Sequence, residues 1–153
     1  MNKYFLLFGL LIIGISSCKK SSSFDASAQA VSDDIKIQSY IAANSITATK
    51  DPSGLYYQVL TPGSGTSPSA TAKVTVNYTG KLLNGTVFDS GTLTASPLTG
   101  LIKGWQIGIP YSKVGGRILL IIPSGLGYGN NASGSIPANS VLIFTIDLLG
   151  FTN

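Results

Sequence analysis

Histidine and glutamate are missing from this chain altogether, and cysteine occurs once, at Cys18, in 153 residues. Without histidine and with a single thiol, the chain cannot build a histidine-ligated zinc site, a Cys-His or Ser-His-Asp triad, or an internal disulfide. No metal ligation is therefore expected. Charge is scarce as well: 10% of residues are charged, and 10 Lys+Arg stand against 6 aspartates for a formal net charge of +4. The excess is dispersed, its densest point being the pair Lys19 and Lys20. Nucleic-acid binding depends on clustered neutralisation of phosphates, so this composition speaks against it. What the chain has instead is 44% hydrophobic residues, 18 glycines and 7 prolines. That is enough for one ordinary domain and too little for two.

The opening stretch MNKYFLLFGLLIIGISSCKK places Lys3 before an apolar run over residues 4–15, followed by two serines and Cys18. A membrane-spanning helix needs about 20 apolar residues, so the run reads as a secretory signal covering residues 1–17. The segment ISSC resembles the bacterial lipobox, in which the cysteine is lipidated and becomes the new N-terminus; the alternative is a plain secretory signal that happens to end in a cysteine. Acyl chains on Cys18 would hold the protein at about 0.8 kcal/mol per buried methylene while the domain stays in water. The expected location is the cell envelope, lipid-anchored, facing the periplasm or the cell surface.

Serine and alanine dominate residues 18–30, as in a flexible tether. Over 31–50 the pattern predicts a short helical extension: Ser32 as cap, Asp33 and Asp34 in the first turn, Ile37, Tyr40 and Ile41 on one face, and Asn44 as a stop. From 51 to 153 the signals change to those of a single domain. LYYQVL (55–60) is rich in aromatic and β-branched residues. In KVTVNYTGKLL (73–83), Val74, Val76 and Tyr78 alternate with Lys73, Thr75 and Asn77. Asn84-Gly85 signals a hairpin that returns through TVFDS. GRILLIIP (116–123) and SVLIFTIDLLGF (140–151) are long apolar strand candidates, the second with Leu142, Phe144, Ile146 and Leu148 on one face. KGWQIGIPY (103–111) is the one segment of this region that can be helical. The fold class is α+β, mainly β: an antiparallel sheet with one short helix covering an apolar face. Trp105, the lone tryptophan, is either core filling or the floor of a site.

Read in order, VNYTGKLLNGTVFDS, GLIKGWQIGI, VGGRILLIIPSGLGYG and SIPANSVLIFTIDLL resemble the FK506-binding-protein type of peptidyl-prolyl cis-trans isomerase, over about residues 53–150. The lipobox and leading helix further resemble envelope lipoprotein members of that family. The resemblance implies a bent sheet of about five strands around a short helix, with a proline pocket between them. It assigns Tyr78 to the pocket wall, Phe88 as an aromatic side and Asp89 as the one acidic group. Leu101 and Ile102 would form the rim, with the Ile102 N–H as a donor to a substrate carbonyl. Trp105 would be the floor, Tyr128 would reach over with its hydroxyl, and Ile136 and Phe144 would complete the lining. Implied partners are proline-containing unfolded or exported polypeptides and an FK506-like macrolide, with no cofactor; the oligomeric state is left open.

Such a pocket needs no nucleophile. The barrier to rotation about an Xaa-Pro bond, about 18–20 kcal/mol, is lost amide resonance. An apolar site withdraws the solvation that favours the planar form and can bind the twisted form better. Two segments depart from the family pattern. GTLTASPLTG (91–100) replaces a longer connection that usually carries pocket phenylalanines, so that wall is either missing or supplied by Leu93 or Leu98, and NNASGS (130–135) is polar and slightly short. A catalytically weak chaperone or binding module on the same fold is the competing expectation.

Overall fold

The computed structural model describes residues 24–153. The proposed leader, Cys18 and the first part of the tether lie outside them. Helix α1 (Ala26–Ala43) starts well before Ser32. Asp25 caps it, its carboxylate accepting from the backbone N–H of Ser27 at 2.9 Å and of Ala28 at 3.1 Å. The expected 18–30 tether is thus helical in its last residues, because Ala26, Ala28, Gln29 and Ala30 are strong helix formers behind a good cap. Asp33 and Asp34 consequently sit in the second and third turns rather than the first, where they bond the domain. Asn44 ends the helix as expected, its N–H donating to the Tyr40 carbonyl at 3.1 Å. No helix among the described residues is long and apolar enough to cross a membrane.

Six strands follow: β1 (Thr49–Lys50), β2 (Tyr56–Thr61), β3 (Lys73–Leu82), β4 (Val87–Pro97), β5 (Arg117–Ile122) and β6 (Leu142–Thr152). They form one antiparallel sheet in the order β1-β2-β5-β6-β3-β4. The strand beyond the expected five is β1, two residues that lie inside the segment read as helical extension. Between β4 and β5 lies α2 (Lys103–Gly108), continued by a single 3-10 turn over Ile109–Tyr111.

Both faces of the sheet are covered at β5. Ile118, Leu120 and Ile122 of β5 join Val74, Val76, Trp105, Ile109, Ile146 and Leu148 in the larger core, under α2. Leu119 and Ile121 point the other way, into a second core with Ile37, Tyr56, Val141 and Ile143 under α1. This is why RILLII shows no alternation, whereas β3, with a solvated second face at Lys73 and Asn77, does. The face predicted for α1 is the one used: Ile37 is wholly buried, with Tyr40 and Ile41 packed at its margin.

Two glycines let α2 lie close on β5. A Cβ on Gly104 would stand 2.5 Å from Ile122 Cγ2, and one on Gly108 would stand 2.5 Å from Leu120 Cδ2. The far end of α2 is held by Tyr111, whose ring stacks on Tyr57 with centroids 4.0 Å apart and whose hydroxyl donates to Asp51 at 2.6 Å. Arg117 faces solvent and pairs with Asp147 across the β5–β6 ladder, at 2.6 and 2.8 Å. An exposed pair of this kind contributes about 0–1 kcal/mol.

Candidate active site

Where β3 and β4 pair, regularity breaks twice. Gly80 opposes Asp89 while Lys81 opposes Val87, so Phe88 is an extra residue in the ladder. At a bulge two successive side chains can serve the same face, which an unbroken strand forbids. Phe88 and Asp89 both turn to the α2 side this way. A second shift lies between Val74 and Val76, opposite Ser96 and Leu93. There Ala95 takes a left-handed φ of 47° and donates its N–H to Thr75 Oγ1 at 3.1 Å. Leu93, the partner of Val76, is thereby set facing the same space.

That space is a cavity of about 210 Å³ between sheet and helix. Trp105 forms its base, 4% exposed, with Phe144 edge-on at 5.2 Å and 89° and Tyr78 edge-on at 5.3 Å and 75°. Phe88 meets Phe144 edge-on in turn, at 5.5 Å and 85°. Edge-to-face contacts of this kind are worth about 0.5–1.5 kcal/mol each beyond their buried area, so the four rings hold one another in place. The indole N–H is buried with no acceptor among the described residues. Packing, not a hydrogen bond, therefore sets its position. Leu101 and Ile102 supply the apolar rim and Tyr128 stands at the mouth, 39% exposed.

Only one carboxylate reaches the cavity. Asp89 accepts a 2.8 Å hydrogen bond from the Tyr78 hydroxyl. Burial first, and then Asp89, raise the Tyr78 pKa above its ordinary value, so the phenol keeps its proton and remains a donor. Gln106 steadies the rim from behind: its amide donates to the Leu101 carbonyl at 2.7 Å. Ile102 is the N-cap of α2, its carbonyl accepting from Trp105 N at 3.0 Å, while its own N–H has no acceptor among the described residues. That N–H is thus left for a bound group.

Eight of the nine pocket residues expected from sequence meet around this cavity, and Leu93 is the ninth lining residue. Ile136 is the exception. It lies 6% exposed in the larger core, tied to Ser133 by paired backbone bonds of 2.9 Å, and does not line the cavity. Of the two leucines expected to close the short-loop wall, Leu93 does so, whereas Leu98 is wholly buried in the core. Sequence reasoning missed Gln106 and Gly80. Gly80 lies under the rings of Phe88 and Phe144, where a Cβ would approach them to 2.6 and 2.7 Å. Its signal was the glycine of NYTG inside an otherwise strong strand.

A bent antiparallel sheet over a short helix, with an aromatic cup between them and one tyrosine-bound carboxylate at its side, defines an FK506-binding-protein-like fold. Comparison with known proteins agrees: residues 64–149 match the family model described as FKBP-type peptidyl-prolyl cis-trans isomerase, and the chain belongs to that family. The isomerase FkpA of Aeromonas hydrophila is 42% identical over 132 residues, 81% of this chain and 48% of that protein. FkpA of Buchnera aphidicola is 47% identical over 110 residues, 69% of this chain and 44% of that protein. The chain thus spans less than half the length of these curated relatives. The crystal structure of FkpA from Escherichia coli aligns with a TM-score of 0.69 at 34% identity, covering 82% of this chain and 62% of that one. That of AtFKBP13 aligns with a TM-score of 0.64 at 35% identity, covering 69% and 99%.

Proposed function

We propose that the chain is a peptidyl-prolyl cis-trans isomerase that accelerates rotation of Xaa-Pro bonds in exported polypeptides. The observation that carries this reading is the aromatic cup itself, mainly apolar, with the Tyr78–Asp89 pair at its side and Tyr128 at its mouth. A proline ring seated on the Trp105 face would place its preceding carbonyl at the rim, within reach of the Ile102 N–H. Removing that imide from water lowers the preference for the planar, charge-separated amide. A donor that fits the carbonyl only when the bond is twisted then stabilises the transition state over the ground state. Asp89 keeps the Tyr78 ring upright, so the wall is in place before substrate arrives. No proton is transferred and no bond breaks. The same cup is the proposed seat of an FK506-like macrolide, which would present a similar ring.

A protease-coupled assay on a short Xaa-Pro peptide tests the reading, with a rate above the spontaneous exchange expected. That rate should be flat between about pH 5 and 8, where no side chain of the described residues ordinarily titrates. In acid it should fall with the fold. Asp34 is held below the ordinary carboxylate range chiefly by Lys50, Asp147 chiefly by Arg117, and Asp51 by Ser53 and Tyr111. Groups with depressed folded pKa values stabilise the protein above the unfolded value, about 3.9, and that contribution disappears as pH drops through the folded value. A peptide rate no faster than the spontaneous one, alongside suppressed aggregation of an unfolded protein, would instead make the chain a binding module.

The envelope assignment is also ours, and it rests on the ISSC segment. If Cys18 carries the lipid, Cys18→Ser should move the protein from the membrane fraction to the soluble fraction. Unchanged partition in that variant would remove the anchor from the reading.

A further inference from the structure

Asp33 is a wholly buried carboxylate that the proposed reaction does not use. It sits in α1, on the opposite side of the sheet from the cup. Its Oδ2 accepts from both the backbone N–H of Ser124, at 2.8 Å, and the Ser124 hydroxyl, at 2.6 Å. Its Oδ1 accepts from Gln29 Nε2 at 2.7 Å, with Lys36 Nζ 3.8 Å away. A buried carboxyl group is tolerated when its oxygens are hydrogen-bonded, and here two of its partners are on one residue, 91 positions along the chain.

Ser124 is the hub of the loop that carries Tyr128. It follows β5 after Pro123, and its carbonyl accepts from Gly127 N at 2.9 Å and from Gly129 N at 2.8 Å. Tyr128 lies between those two glycines. Gly129 in turn accepts from Asn139 N at 2.8 Å, which ties the loop to the segment entering β6. The Tyr128 hydroxyl makes no hydrogen bond among the described residues, so the backbone on either side of Tyr128 is what sets its place. A continuous series of hydrogen bonds therefore runs from the middle of α1 to the mouth of the cup.

We propose that Asp33 is a positioning residue, which by holding Ser124 determines where Tyr128 stands and makes α1 a working part of a site it never touches. Its effect on rate rests on the isomerase reading, whereas its effect on the geometry of the cup does not. The test compares Asp33→Ala, Asp33→Asn and Ser124→Ala on the full chain. As a control, Ile41→Ala loosens the distal end of α1 without touching the Asp33–Ser124 link. Each is assayed for peptide isomerisation, melting temperature, and acrylamide quenching of Trp105, the lone tryptophan.

Asp33→Ala should lower kcat/KM about 5- to 20-fold, mostly through KM because Tyr128 is at the mouth, and should make Trp105 more quenchable. Asp33→Asn retains an acceptor of the same shape and should recover part of both. Ile41→Ala should lower the melting temperature while leaving KM and quenching alone. If Asp33→Ala does not fold, Ser124→Ala and Asp33→Asn decide the matter by the same two readouts. Wild-type KM and quenching in the folded Asp33 and Ser124 variants would overturn the proposal. If the unmodified chain shows no isomerase rate, the functional reading has failed, and Trp105 quenching alone then decides whether Asp33 positions the loop.

Discussion

Trp105→Leu should leave a folded protein that isomerises an Xaa-Pro peptide about 10- to 100-fold more slowly, equivalent to about 1.4–2.8 kcal/mol. Leucine fills part of the indole's volume beneath Phe144 and Tyr78, so the larger core survives with a smaller loss than the about 3–5 kcal/mol of truncation to alanine. What it cannot supply is a flat, rigid base. The indole packs T-shaped against Phe144 and Tyr78 and lines the cavity, where it supplies a broad, flat surface for a ring. On the proposed binding mode, a branched chain in its place would let the proline tilt and would cost its carbonyl the alignment with the Ile102 N–H. The measurement is kcat/KM alongside far-ultraviolet circular dichroism. A variant with native dichroism and an undiminished rate would show that the base of the cavity takes no part in catalysis.

Gly80→Ala should damage the cup itself with a single added methyl group. The added Cβ would fall 2.6 Å from Phe88 Cζ and 2.7 Å from Phe144 Cε1, well inside van der Waals contact with two rings at once. Neither ring can swing away freely, because Phe144 also packs edge-on against Trp105 and Phe88 against Phe144. Overpacking of this kind costs about 1–3 kcal/mol, enough to lower the melting temperature by several degrees in a chain of this length. The displaced rings are also the cup's walls, so kcat/KM should fall beyond what the folded fraction explains. Gly150→Ala is the comparison: it too lies in a strand, but nothing stands within 4 Å of its added carbon, and it should melt and turn over as the parent does. Equal behaviour of the two alanine variants would mean that the bulge at Phe88 absorbs the methyl.

The sequence made much of this readable, and the unreadable parts have physical reasons. Alternation at Val74, Val76 and Tyr78, and at Leu142, Phe144, Ile146 and Leu148, located β3 and β6 because each exposes a different environment on its two faces. A lone tryptophan between glycines located α2. The start of α1 escaped because capping and alanine propensity, not apolar periodicity, place it at Ala26. Asp33 looked like a favourable first-turn charge; it is a buried acceptor, and no local pattern announces a partner that distant in sequence. The run RILLII did carry a signal, since an unbroken apolar strand implies cover on both faces, and α1 was the one helix left to provide it. Phe88 and Asp89 are consecutive, so strand periodicity alone would separate them, and the family resemblance was needed to put both in the cup. Ile136, which the resemblance puts in the lining, packs in the same core as Trp105 and Phe144, at a position that depends on how the 130–135 loop folds back on itself.

The sheet's two outermost strands are unlike its interior. One is the two-residue β1; the other, β4, is interrupted at Phe88 and again at Ala95. A protein that receives extended, unfolded chains risks templating them onto its own free backbone donors and acceptors, as any long, straight border strand does. Shortness on one flank and two kinks on the other deny an incoming polypeptide a continuous ladder to zip against. Under the proposed function, a client held at its proline would then be released without being recruited into an ever-growing aggregate.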